Sequence, residues 1–209
     1  MHAGERGPSR ARVDNEARTA EHLERMARRR AALRGELAGI LPPTGEFIWE
    51  VGCGHGHFLT TYARAHPDAL CLGIDIIRER IERAERKKDR AGLSNLHFLL
   101  AEARLFLGEL PPAAKILAVF ILFPDPWPKK RHHKHRLMQP EFLDAVAERA
   151  GQGTRIYFRT DHEPYFLQAE TVLSTHPAWH LADETWPCVV ETVFQQRAAR
   201  HRSLVAVRR

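Results

Sequence analysis

Cysteine is scarce in this chain. Cys53, Cys71 and Cys188 are odd in number, widely spaced and in no CxxC pair. That excludes a disulfide framework and suits a reducing compartment, so a cytoplasmic location is expected. Long apolar runs are also missing. The longest, Ile116 to Leu122, is far too short to span a bilayer, so no membrane partner is expected. The arginine-rich N-terminus lacks the continuous apolar core of a secretory signal. Its Glu16, Glu21 and Glu24 argue against an acid-poor transit peptide. Beyond residue 40 there are no repeats and no low-complexity tracts. A full GxGxxG fingerprint is lacking too. The glycines at 52, 54 and 56 fit its opening, but His57 stands where the third glycine or alanine belongs, a poor match to a dinucleotide site.

What is present is a basic chain of 209 residues, with 32 Lys+Arg against 26 Asp+Glu and a net charge of +6. That length suffices for one α/β domain with a large core. Basic character alone points only weakly to a polyanionic partner. Residues 1 to about 17 are poor in apolar groups and read as a loose arm. From Ala17 to Ile40, with Leu23, Met26, Ala27 and Leu33 near helical spacing, one or two amphipathic helices are expected. These helices either pack on the domain or touch nucleic acid. The chain thus divides into a basic segment, 1–40, and a single domain, 41–209.

From Leu41 onward strands and helices alternate. Strands are expected at Glu46–Val51, Leu70–Asp75, Leu96–Leu100, Ile116–Phe123 and Thr154–Thr160, with two more near Trp179–Ala182 and Ser203–Val207. Helices are expected at Phe58–Ala65, Arg78–Arg90, Pro140 to Gly151 and Tyr165–Ser174. That rhythm implies a doubly wound α/β sheet, mostly parallel, with an antiparallel C-terminal strand.

The chemistry sits at the strand ends. Glu50 is the last inward position of the first strand and precedes Gly52, Gly54 and Gly56. An acid beside a glycine turn suits a cofactor that carries positive charge and no pyrophosphate, which S-adenosylmethionine does with its ammonium and sulfonium. Asp75 ends the second strand, where a carboxylate accepts from ribose hydroxyls, and Glu102 follows the third, near an adenine amino group. Each acid alone reads as a cap or surface group; three on successive strands point to one ligand. After the fourth strand comes Phe123-Pro-Asp-Pro-Trp-Pro128, a stiff loop holding Asp125 and Trp127. Then comes a run of five Lys/Arg and three His: Lys129, Lys130, Arg131, His132, His133, Lys134, His135 and Arg136. The histidines lack carboxylate or cysteine companions at ligand spacing, so no metal is expected. Trp127 either stacks on a base or walls the pocket.

These segments, with Arg159-Thr-Asp161 and Thr192-Val-Phe-Gln195, resemble the bacterial tRNA (guanine-N7)-methyltransferases, over about Phe47 to Leu204. The resemblance implies a class I methyltransferase fold and methyl transfer from S-adenosylmethionine to N7 of the variable-loop guanosine, position 46 of tRNA. It implies cofactor contacts at Glu50, Gly52, Gly54, Gly56, Asp75, Glu102 and Asp125, the last being the position called catalytic. It implies substrate contacts at Lys129, Asp161, Thr192 and Gln195, and an RNA-facing run from Arg131 to Arg136. The partner implied is tRNA, bound by a monomer or homodimer with no obligate protein partner. Glu102 stands where Asp or Asn is more familiar, and Gln195 where the family has Glu. Two other readings remain: an adenine or cytosine amino-methyltransferase, whose Asp/Asn-Pro-Pro-aromatic tetrad differs from the Asp-Pro-Trp-Pro here, and a degenerate RNA-binding member, which Gln195 favours.

Overall fold

The computed structural model describes residues 10–42, 44–187 and 200–209. Thr192 and Gln195 lie outside the described residues, so the motif they belong to receives no structural account. Seven strands form one sheet: β1 (Glu46–Val51), β2 (Cys71–Asp75), β3 (Leu96–Leu100), β4 (Lys115–Leu122), β5 (Ala150–Thr160), β6 (Trp179–Ala182) and β7 (Arg202–Arg208). Their order is β3-β2-β1-β4-β5-β7-β6. β1 to β5 run parallel, and β7 lies antiparallel between β5 and β6. The expected sheet, with its antiparallel C-terminal strand, is the one observed.

The period-two alternation of β1 sorts side chains onto two cores. Phe47 and Trp49 face one layer, where Trp49 stacks on Phe106 with ring centroids 4.9 Å apart. α1 (Arg10–Ile40), α4 (Ala103–Glu109), α5 (Pro140–Ala147) and α6 (Glu163–Thr175) cover this face through Leu33, Phe106, Phe142 and Tyr165. Ile48 faces the other layer with Phe98, Phe120 and Tyr157. α2 (His57–Ala65) and α3 (Arg78–Ala91) cover it through Phe58, Leu59, Ile81 and Ala84.

The observed elements depart from the sequence expectation at four places. α1 is one helix beginning at Arg10, so residues 10–17 belong to it rather than to a loose arm. Its last turns bury Leu33, Leu37 and Leu41, and Arg30 and Arg34 both donate to the fully buried Glu109 of α4, Arg34 at 2.9 and 2.7 Å. α4 itself is absent from the sequence expectation; Glu102 caps it by accepting from the N–H of Arg104 and Leu105 at 2.9 and 3.0 Å. α5 stops at Ala147 instead of Gly151, because Ala150 already pairs with Ile116 of β4. The basic run forms a short 3-10 helix, Lys130–His135.

One glycine of the β1–α2 turn is fixed by packing. Gly56 has φ 68°, and a Cβ there would stand 2.5 Å from Phe98 Cζ and 2.9 Å from Ala84 Cβ. Gly56→Ala therefore combines left-handed strain with overpacking, and a loss of about 1–3 kcal/mol is expected in urea unfolding. An unchanged midpoint would show that Phe98 yields freely.

Candidate active site

β1 pairs with β2 on one side and β4 on the other, and the chain reverses direction of winding between them. In open α/β sheets ligands sit outside the carboxyl ends of strands at this switch point. Glu50, Asp75, Glu102, Asp125 and Asp161 all lie at that edge of the sheet, on or just beyond the ends of β1, β2, β3, β4 and β5.

Glu50 is 3% exposed, and its Oε2 has no hydrogen-bond partner among the described residues. Burial pushes its carboxyl well above the ordinary range. The backbone N–H of Leu59, in the first turn of α2, pulls it down, and the Asp75 charge adds to the rise. A buried acceptor left open is a demand for a donor, and a cation meets it best. Beside it, Gly54 has φ 55° and open space where a Cβ would be, so a ligand can approach that backbone closely. Gly54 and Gly56 are thus distinct: Gly54 opens onto the cleft, while Gly56, expected as a cofactor contact, presses on Phe98 and Ala84 in the core.

Asp75 is 4% exposed and engaged. It accepts from Gly54 N–H at 3.1 Å, from Ile77 N–H at 2.9 Å and from Arg80 at 3.4 Å. These bonds tie the ends of β1 and β2 into one rigid corner. Glu102 is exposed and uses Oε2 to cap α4. A cavity of about 450 Å³ lies next to it, walled by Ile76, Leu100 and Leu105 on one side and by Met26, Ala32 and Glu36 of α1 on another. Ile76 is 69% exposed, an apolar face offered to that space. Sequence reading missed both walls. The available signal for Ile76 was an isoleucine directly after the strand-ending acid; α1 gave none, because its approach to the cavity is a tertiary contact.

Across the switch point, Asp125 is exposed on the loop after β4. The loop is strained at both ends: Phe123 and Trp127 hold φ at 50° and 43°. Such angles cost on the order of 1–3 kcal/mol each and persist only where surroundings impose them. Phe123 N–H donates to Arg159 O at 2.8 Å, and Arg136 donates to Pro126 O at 2.7 Å. Arg136, expected among the RNA-facing residues, is instead 2% exposed. Its guanidinium also donates to Gln168 Oε1 at 2.6 Å and lies 4.9 Å from the Tyr165 ring centroid. It is turned inward as a brace between loop and α6, out of reach of a phosphate. Tyr165, whose hydroxyl accepts from Met138 N–H, has its pKa pushed up to about 12 by burial.

Lys129, Lys130, Arg131, Lys134 and His135 remain exposed, with His132 and His133 half-buried. Trp127, 38% exposed, has His135 and His132 rings 5.2 and 5.8 Å from its own, so one of its faces is part of this cluster. No group of metal-ligating side chains is found among the described residues. Asp161 is exposed beyond β5 and faces His201. His201 stacks edge-on to Phe123 at 6.0 Å; burial lowers its pKa and Arg159 lowers it further, while Asp161 raises it. Arg159 is held under them by Ser203 Oγ at 2.9 Å and the Trp186 ring at 4.1 Å. The structure therefore brings together two groups: Glu50, Gly54 and Asp75 in one corner, and Asp161 and His201 in the next, with the Asp125 loop joined to them through the Phe123–His201 ring contact.

Comparison with known proteins agrees with that layout. Residues 45–202 match the model of a family described as putative methyltransferase. A tRNA (guanine-N(7)-)-methyltransferase of Nitrosococcus oceani is 38% identical over 144 residues, 69% of this chain and 61% of that protein. One from Streptomyces avermitilis is 36% identical over 68% of this chain and 49% of its own length. One from Microcystis aeruginosa is 33% identical over 157 residues, 74% of each chain. The chain thus spans about half to three-fifths of the first two relatives. Among solved structures, an antibiotic-related methyltransferase aligns with TM-score 0.59 at 23% identity, covering 84% of this chain and 93% of that one. TrmN from Thermus thermophilus aligns with TM-score 0.57 at 19% identity, covering 86% and 48%. At such identities the structural likeness speaks to the fold, which is that of the class I methyltransferases. With the family model spanning most of the chain and a relative matched over nearly three-quarters of its own length, the chain belongs to the tRNA (guanine-N7)-methyltransferase family.

Proposed function

We propose that this protein transfers a methyl group from S-adenosylmethionine to N7 of a guanine in tRNA, at the variable-loop position 46. The observation that carries the cofactor half is the open, buried Glu50 Oε2 beside a glycine with free space over its backbone. When bound, the cofactor supplies a methyl group already activated by its sulfonium. Glu50 would accept from the ammonium end, Asp75, with Oδ2 taken by Gly54 and Arg80 and Oδ1 by Ile77, would offer its remaining lone pair to a ribose hydroxyl, and the 450 Å³ cavity with Ile76 and Leu105 would hold the adenine. Glu102, with Oε2 committed to α4, retains its other oxygen for the adenine amino group. Residues 41–209 act on this reading as one catalytic unit. The 1–40 segment is a basic addition whose helix also walls the cofactor pocket.

N7 of guanine has a lone pair and no proton, so no general base is required. Asp125 orients the purine and balances the charge that the ring acquires, and positioning supplies most of the acceleration. Asp161 accepts from the guanine N1–H and amino group. His201 flanks Asp161 and adds a donor there. The exposed cations from Lys129 to His135 contact phosphate. Incubating the protein with tRNA and labelled cofactor, then mapping the methylated base, tests the proposal directly. A methyl group on an adenine or cytosine amino group would select the amino-methyltransferase reading, and binding without transfer would select the degenerate one.

Two further outcomes follow. Glu50 has a raised pKa in the folded chain, so its ionisation costs folding stability. That cost is absent below the unfolded pKa and grows as pH rises through the window up to the folded value. Glu50→Gln should therefore raise the melting temperature of the cofactor-free protein at neutral pH. It should also weaken cofactor affinity about 10- to 100-fold, by loss of one charge-assisted hydrogen bond. A cation beside Glu50 favours its ionised form, so wild-type cofactor affinity should rise with pH above the ordinary carboxylate range until the raised folded value is passed, and the variant should lack that rise, as calorimetry across a pH series would show. Arg136→Ala should lower single-turnover rate by loosening the Asp125 loop while leaving the salt dependence of tRNA affinity unchanged; a shallower salt slope would return Arg136 to the RNA-facing run.

A further inference from the structure

α2 and α3 lie side by side on one face of the sheet, and the groove between them is charged in one sense. A hollow of about 280 Å³ is lined by His57, Thr60, Thr61, Arg64, Lys87 and Arg90. A second recess of about 240 Å³ continues it toward the glycine turn, adding His55, Arg83 and Arg86. Among the described residues, none of Arg64, Arg83, Arg86, Lys87 and Arg90 is paired with a carboxylate; the neighbouring Glu85 is taken by Lys88 at 3.0 Å and by Phe98 N–H at 2.9 Å.

Two polar atoms in this groove are buried and unanswered. Lys87 Nζ is shut off from solvent and makes no hydrogen bond among the described residues. Thr60 is 5% exposed, and its Oγ1 also lacks a partner there. Burial lowers the Lys87 pKa and Arg90 lowers it further. His55 and His57 are likewise held down, by burial first and then by Arg83 and Lys87 respectively. Leaving an ammonium and a hydroxyl buried without partners is costly, and cations crowded without counter-charge repel one another. One kind of ligand relieves both costs: an oxyanion, which takes only donors and brings negative charge. The groove is open along its length and leads up to His55 in the glycine turn, which favours an extended chain of phosphates over a single ion.

We propose that the α2–α3 groove is a binding site for phosphate groups of the tRNA backbone, separate from the Lys129–His135 run. The proposal rests on the tRNA substrate assigned above. The groove takes a phosphodiester against Arg64 and Arg90, and the Lys87 ammonium and Thr60 hydroxyl meet it by rotating out of their closed-off positions. The two basic surfaces flank the switch point, so the RNA is held on both sides of the cleft in which its base reacts.

The test is tRNA binding by fluorescence anisotropy across a salt series, with the triple variant Arg64→Gln/Lys87→Met/Arg90→Gln and, as a surface-only change, Arg64→Glu. Removing the partner of each bound phosphate should lower the slope of log affinity against log salt by roughly 0.7 to 0.9. Affinity for S-adenosylhomocysteine should be unaltered, which also reports that the variants fold. Unchanged slopes and tRNA affinity in both variants overturn the proposal. So does a groove that binds inorganic phosphate, seen as phosphate-dependent stabilisation lost in the triple variant, while the tRNA slope stays the same. The two readings fail separately: tRNA bound through the groove but methylated at no guanine defeats the assigned reaction alone, and guanine methylation with unaltered slopes defeats the groove alone.

Discussion

The double pairing of β1 is the constraint from which the rest follows. Paired on both edges and covered by helices on both faces, β1 is buried all round, so Phe47 and Trp49 enter one core and Ile48 the other. The same alternation drives Glu50 inward on the α2 side, where no hydrophobic argument would place a carboxylate. Because the chain winds outward to β2 and β3 and then returns to β4 on the far side, the loops after β1 and β4 part company. The crevice between them is not carved by special residues; it is a consequence of strand order.

The two halves of that crevice are built by opposite means. At the ends of β1 and β2 the backbone is tied down and one side chain is left wanting. Asp75 collects donors from Gly54, Ile77 and Arg80, and Glu50 keeps an oxygen with none. Beyond β4 and β5 the acids are exposed, and it is the support beneath them that is buried. Arg136 and Arg159, both nearly inaccessible, brace the loop after β4: Arg136 donates to Pro126 O, and Arg159 O accepts from Phe123 N–H while its guanidinium is fixed by Ser203 of β7. Burial separates the basic residues here: Arg136 and Arg159 turn inward as braces, while Lys129, Lys130, Arg131 and Lys134 face water.

The sheet was largely legible, because its strands are runs of buried residues ended by glycine, proline or acid. β1, β3 and β6 coincide with the expected spans. α4 escaped because seven residues with an internal glycine carry too little period, and Glu102 had a second, ligand-facing reading that hid its role as a cap. The end of α5 escaped because β-pairing with Ile116 overrode the helical pattern of residues 148–151. In the site, Glu50 and Asp75 were legible from strand ends alone. Arg136 was not, since its partner Gln168 lies 32 residues away and a run of like charges gives no sign of which member turns inward. Gly54 and Gly56 look identical in sequence, and only the approach of Phe98 and Ala84 tells an open position from a packing contact. Thr192 and Gln195 lie outside the described residues, so the substitution of the family's carboxylate stands as a matter of sequence alone.

The loop from Phe123 to Pro128 has three prolines and two residues fixed at positive φ, and it is pinned at Phe123 and at Pro126. Surface loops that recognise nucleic acid commonly sacrifice configurational freedom at the moment of encounter, which subtracts from affinity and slows commitment. Here that sacrifice is made during folding and is shared with the stability of the whole domain. On the proposed reading, an incoming base would meet a surface whose shape does not depend on it, and discrimination at this edge would work by rejection of misfits rather than by moulding.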